Sequence, residues 1–219
     1  MNAHRVIDLS HVVHDGLVTY PGMPAARFST WLSREASRAK YAPGTEFHIG
    51  SAELLANTGT YIDSPFHRYA EGPDLAQLEL ARLVDLECVV LRASGVRTIV
   101  AEHLPDDLPR GGALLVHTDW SRHFGTATYG VGHPHLDRDC ARALVAAGLA
   151  VVGIDSLNID ATADGERPVH SLLLAAGIAI VEHLRGLEAW PERGARFYAA
   201  PLALRGMGSF SVRAFALAP

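Results

Sequence analysis

Asn57-Thr58-Gly59-Thr60-Tyr61-Ile62-Asp63-Ser64-Pro65-Phe66-His67 is the segment richest in groups that could do chemistry. On a strand, positions 57, 59, 61 and 63 share one face, which would present an amide, a phenol and a carboxylate together before Pro65 ends the ladder. Gly59 would let another group come close to the backbone, and Pro65 would turn the chain so that His67 folds back toward Asp63. Asp63 and His67 could then work as an acid–base pair. A hydrogen-bonded strand end and turn would use the same residue types, so the segment alone leaves both readings open.

Elsewhere the plain explanation is the better one. His11 and His14, and His133 and His135, lack a nearby carboxylate at ligand spacing and read as loop or surface histidines. His183 follows Glu182 and is either its orienting partner or a loop histidine. Cys88 and Cys140 form no CxxC pair and have no adjacent histidine, so they read as buried thiols in a reducing compartment, with the cytoplasm as the expected location. Ser64 and Ser156 lack the G-x-S-x-G elbow of serine hydrolases.

The elements that must position these groups follow from patterning. Short β-branched or Leu-rich runs at 6–9, 48–54, 87–91, 113–117, 150–154 and 178–181 predict strands. Helical spacing is expected at 75–80, 98–104, 171–176 and most clearly 137–147, where Asp137 would cap the start and Gly148 the end. The mixture lacks the regular alternation of a doubly wound sheet, and the Gly-rich phosphate signatures are missing. With 219 residues, 48% hydrophobic, no repeat and no long linker, one domain spanning 1–219 is expected. The formal charge of −5 argues against nucleic acid as a partner. Residues 1–5 lead into the first strand without a signal-peptide core, and the longest apolar stretches are too short to span a membrane.

Gly59, Thr60, Asp63, Pro65 and His67 match the motif HxGTHxDxPxH of the cyclase family, which includes bacterial kynurenine formamidases and isatin hydrolases. Ile7-Asp8-Leu9-Ser10-His11, Tyr20-Pro21-Gly22, Val116 to Trp120, Val152 to Ser156, His170, Glu182 and Arg196-Phe197 extend the resemblance over nearly the whole chain. Asn57 and Tyr61 stand where the family's two ligating histidines are expected, and Asp119 where a Gly is usual. The resemblance implies an α/β fold: a mixed, barrel-like β-sheet with flanking helices, the swivelling β/β/α architecture, assembled as a homodimer or tetramer. It also implies metal ligands at Asp63, His170 and Glu182, proton transfer by His67, and a pocket lined by Tyr20. Trp120, just after a strand end, is a further pocket candidate.

One imidazole and two carboxylates suffice for one divalent ion, Zn²⁺ or Mn²⁺, but not for two. Tyr61 or Asn57 would then stabilise an oxyanion in place of a second ion. The expected function is metal-assisted hydrolysis of a small-molecule amide, formamide, lactam or lactone. The alternatives are a small-molecule-binding relative with a degraded metal site, and a metal-free lyase or isomerase using Tyr61 and His67.

Overall fold

The computed structural model describes residues 5–218; residues 1–4 and 219, which the expected leaderless start and the 1–219 domain include, lie outside the described residues. In chain order the strands are β1 (Arg5–Asp8), β2 (Arg27–Leu32), β3 (Ile49–Glu53), β4 (Tyr61–Asp63), β5 (Leu86–Arg92), β6 (Thr98–Ile99) and β7 (Ala113–His117). They continue with β8 (His135–Leu136), β9 (Val151–Ile154), β10 (Ala179–Glu182), β11 (Ala195–Tyr198), β12 (Ser209–Ser211) and β13 (Phe215–Ala218). The α-helices are α1 (Arg34–Ser37), α2 (Arg138–Ala147) and α3 (Pro168–Ala175).

Nine strands form one mixed sheet in the order β1-β13-β11-β5-β7-β9-β10-β4-β12. Its centre, β5-β7-β9-β10, is parallel, and antiparallel strands flank it on both sides. The central strands are near-continuous apolar runs because both faces are covered. Cys88, Val90, Ala113, Leu115, Val151 and Val181 face one core, which also takes Ile7, Ile62, Phe197 and Ala216 from the flanking strands, so the sheet curls over its own contents as a half-barrel. Their neighbours Val89, Leu114, Val116, Val152 and Ile180 face the other core, under Leu144 of α2 and Leu173 of α3. The mixed, barrel-like sheet with flanking helices is the expected fold class.

All six expected strands form, and α2 carries its expected caps: the Asp137 side chain accepts from the Cys140 N–H, and Gly148 ends the helix in the left-handed region. Two expected helices do not form. Around 75–80, Asp74 Oδ1 takes the N–H groups of Ala76 and Gln77, which makes a local turn the better home for those donors. Within 98–104, Thr98 and Ile99 pair with β8, and only Ala101–His103 winds into a single 3₁₀ turn. No helix among the described residues is long and apolar enough to cross a membrane.

Candidate active site

Strand register brings the first chemical groups together. β4 lies between β10 and β12, with Tyr61 opposite Glu182 and Ser211, and Asp63 opposite Ile180 and Ser209. Tyr61 and Asp63 project to one face while Ile62 between them fills the half-barrel core. The strand is shorter than the expected alternating face: Thr58 and Gly59 precede it in a turn. Gly59 sits at φ +66°, and a Cβ there would fall 2.7 Å from Val13 Cγ2, so both the turn and the close approach of the N-terminal segment need glycine.

Pro65 starts a 3₁₀ turn over Pro65–His67 that returns His67 toward Asp63, leaving its Nδ1 3.7 Å from Asp63 Oδ1. Ser209 fills the gap: its hydroxyl donates to Asp63 Oδ1 and lies 2.7 Å from His67 Nδ1. With the hydroxyl proton spent on Asp63, Ser209 accepts from Nδ1–H, which leaves the lone pair of His67 on Nε2.

His170 enters from the first turn of α3. Its Nδ1 is 2.7 Å from Asp160 Oδ2, and the same carboxylate accepts from the N–H groups of Val169 and His170, so one side chain caps the helix and fixes the ring. The opposite nitrogen, Nε2, lies 3.6 Å from both Asp63 Oδ2 and Glu182 Oε1. Burial alone would lower the His170 pKa, but the hydrogen bond to Asp160 and the negative charges of Asp63 and Glu182 override it and raise it to about 10.

Asp63 Oδ2 is buried and has no hydrogen-bond partner. A buried carboxylate oxygen facing an imidazole nitrogen, with nothing between them, suits an ion better than it suits an empty polar core. Separations of 3.6 Å match donors that each lie about 2.0–2.2 Å from a common ion. The tightest donor cluster is Asp63, His67 and His170, whose ligand atoms come within 4.8 Å of one another. His67, expected as a proton carrier, thus stands within reach of a ligand position, 3.7 Å from Asp63, as Glu182 stands 3.6 Å from His170.

Glu182 is heavily used within the protein. Oε1 accepts from Ile159 N–H at 2.6 Å, and Oε2 from the Tyr61 hydroxyl, from Tyr20 OH at 3.1 Å and from Asn158 Nδ2 at 3.4 Å. Burial, partly offset by the charge of His170, lifts its pKa to about 7. Burial first and the charge of Glu182 next hold the Tyr61 and Tyr20 hydroxyls well above the usual phenol range. Tyr61 is thus a buried phenol whose proton is committed to Glu182. His183, in the left-handed region at φ 56°, bonds to neither Glu182 oxygen: its Nε2 is 3.3 Å from Tyr20 OH and its Nδ1 2.7 Å from Tyr129 OH.

A cavity of about 330 Å³ opens above these groups. Of the residues expected from sequence, Tyr20, Asn57, Tyr61, His67 and His170 line it, with Asp63 and Glu182 beneath. Trp120 does not line it: its indole N–H donates to Tyr129 O at 3.0 Å and its ring packs on His123, so the strand-end position turned the side chain away. Asp119 occupies the left-handed region at φ 65°, which accounts for the Gly usual there. His133 is a loop histidine, one of the two expected settings, but a buried one that hydrogen-bonds with Pro134 O. Burial pushes the thiols of Cys88 and Cys140 up to about 12, in keeping with inert cysteines.

Sequence reasoning missed Asn158, Asp160, Arg167 and Ser209. The one available signal was the polar run from Asp155 to Asp160 directly beyond the carboxyl end of a buried parallel strand, where α/β sheets place their ligand sites.

The family model "Putative cyclase" matches residues 7–161. A kynurenine formamidase of Bacillus thuringiensis (strain Al Hakam) is 30% identical over 220 residues, covering 98% of this chain and 98% of that protein. A solved protein described as a potential metal-dependent hydrolase with cyclase activity superimposes with a TM-score of 0.81 at 25% identity, over 99% of each chain. An isatin hydrolase bound to the product analogue thioisatinate reaches a TM-score of 0.81 at 20% identity, over 99% of this chain and 93% of its own, and that likeness bears on the fold alone. Motif, sheet and site converge with these comparisons: the chain belongs to the cyclase family.

Proposed function

We propose that this protein is a metal-assisted hydrolase of a small-molecule amide, formamide, lactam or lactone carbonyl, arylformamidase-like in reaction. The observation that carries the reading is the buried, partnerless Oδ2 of Asp63 facing His170 Nε2 below the cavity. The kynurenine formamidase relatives and the potential metal-dependent hydrolase neighbour support it. Asp63, His170 and Glu182 would hold one divalent ion, Zn²⁺ or Mn²⁺, with His67 beside them. When bound, such an ion supplies polarisation of a carbonyl oxygen and a lowered pKa for water.

The chain's own residues do the rest. With an ion bound, Asp160 would hold the remaining His170 proton on Nδ1, so that Nε2 could donate its lone pair. Ser209 does the same for His67, whose Nε2 takes a proton from water as its oxygen adds to the acyl carbon. The same nitrogen returns that proton to the leaving nitrogen as the C–N bond breaks, giving a carboxylic acid and an amine. Because the Tyr61 proton is committed to Glu182, the amide of Asn57 is the better placed donor to the oxyanion. Tyr20 packs a flat part of the substrate.

The sheet takes strands from both ends of the chain, which supports reading 1–219 as one domain. Exposed Phe28, Trp31, Phe47 and Ile49 along and beside the β2–β3 ribbon support a homo-oligomer, dimer or tetramer, and the two buried free thiols suit the cytoplasm.

Elemental analysis of protein purified without chelator, with assays on N-formylkynurenine and formanilide, tests the reading. Bound divalent metal and formate release are expected; no metal and no activation by Zn²⁺ or Mn²⁺ would remove it. His67→Gln should retain metal and lose activity by about 10²–10⁴-fold. Metal loss in that variant would instead make His67 a ligand.

A further inference from the structure

Two guanidinium groups stand at the cavity wall with their charge unspent. Arg68 directly follows His67, and Arg167 occupies the N-cap position of the helix that presents His170, so both cavity histidines have an arginine beside them on the lining. Among the described residues neither arginine is in an ion pair. Arg68 uses only Nε, toward Ser171 Oγ at 3.3 Å, with its Cζ 5.2 Å from the centroid of the Tyr69 ring. The Arg167 side chain donates only to Asn158 Oδ1, at 3.2 Å. A guanidinium has five N–H donors, so most of each fork stays available.

Among the described residues no carboxylate lies within ion-pair distance of either arginine, and several nearby acids have other partners. Asp160 serves His170 and the α3 N-terminus, and Glu182 accepts from four donors. Nearer in sequence, Glu166 pairs with Arg138, and Asp164 Oδ1 accepts from the Glu166 N–H. Arg167 also holds a left-handed backbone, φ 48°, a conformation uncommon outside glycine and worth attention where it aims a side chain at a cavity.

We infer that Arg68 and Arg167 form a carboxylate-binding rim, and that the substrate of this site is an anion bearing a carboxylate a few bonds from its hydrolysable carbonyl. The inference rests on the hydrolase reading for its reaction but on the two arginines for its charge. Planar forks of this kind match a carboxylate with two parallel hydrogen bonds, while the carbonyl lies deeper, beside His67.

Hydrolysis of 2-formamidobenzoate and of neutral formanilide by the metal-replete protein should differ, with kcat/KM about 10-fold or more in favour of the anion. The preference should fall as NaCl is raised, and by about 10-fold in Arg68→Gln or Arg167→Gln. In parallel, calorimetry should show benzoate binding more tightly than benzamide, and losing affinity in both variants. Equal rates on the two substrates, or benzoate affinity untouched by both substitutions, would overturn the rim. If neither substrate is hydrolysed, the hydrolase reading fails while benzoate still decides the rim; if Arg167→Gln does not fold, Arg68→Gln and the salt series decide it.

Discussion

At the scale of single residues, the site depends on which nitrogen of each histidine is free. Ser209 decides this for His67 by standing between its Nδ1 and Asp63 Oδ1. Ser209→Ala should therefore lower kcat by about 10–100-fold with little change in KM, because ring orientation and tautomer are lost while the cavity wall is not. Imidazole ¹⁵N shifts should show His67 moving from the Nδ1–H form to a mixture, and Ser209→Thr, which keeps the hydroxyl, should restore both. Unchanged shifts in the alanine variant would deny Ser209 this role. The groups with a local motif were legible in the sequence: Asn57, Tyr61, Asp63 and His67 lie within one short segment, and Tyr20, His170 and Glu182 follow from the family pattern. Ser209 was not, because it meets Asp63 across 146 residues and only strand register brings them face to face. Asp160 was missed for a related reason, since a carboxylate that serves a histidine from the preceding loop has no fixed spacing from it.

At the scale of elements, the arrangement of β4, the Pro65 turn and β12 is a matter of contact distance. Gly208 lies so close to the turn that a Cβ there would fall 2.5 Å from the Cα and N of His67, while its carbonyl accepts from the Ser64 N–H at 2.7 Å. Gly208→Ala must push β12 and the turn apart. We expect a loss of about 1–3 kcal/mol of stability, read as a lower urea midpoint, and a larger proportional loss of activity than Ser209→Ala causes. A variant as stable and as active as the parent would mean that the turn yields freely. Element type was legible where one signal dominated: Asp137 and Gly148 bracket α2, and the buried parallel strands read as continuous apolar runs. It failed at 75–80 and 98–104, where helical spacing of apolar residues was real but a side-chain turn at Asp74 and the pairing of Thr98 and Ile99 with β8 took the backbone donors.

At the scale of the whole molecule, the sheet places β1 beside β13 and lets two cores share the central strands, an order that composition and periodicity cannot specify. That packing also buries titratable groups that the proposed chemistry does not use, with consequences for stability. Burial lowers the His11 pKa to about 4, and lowers those of His117 and His133 as well. A histidine whose folded pKa lies below its unfolded value of about 6.5 binds its proton more readily when unfolded, so it favours folding above that pH and loses this contribution as pH falls toward the folded value. Asp155 runs the other way: burial raises its pKa to about 6, so ionising it costs stability as pH rises between about 4 and 6. Glu182, lifted by burial to about 7, acts in the same direction as Asp155, so the histidine contribution is isolated by difference, each fully differential proton being worth about 1.4 kcal/mol per pH unit. Relative to the parent, a His11→Gln, His117→Gln, His133→Gln triple variant should therefore gain urea midpoint as pH falls from 7 to 5. A difference between the triple variant and the parent that stays constant from pH 7 to pH 5 would show that these three rings do not remain neutral inside the folded protein.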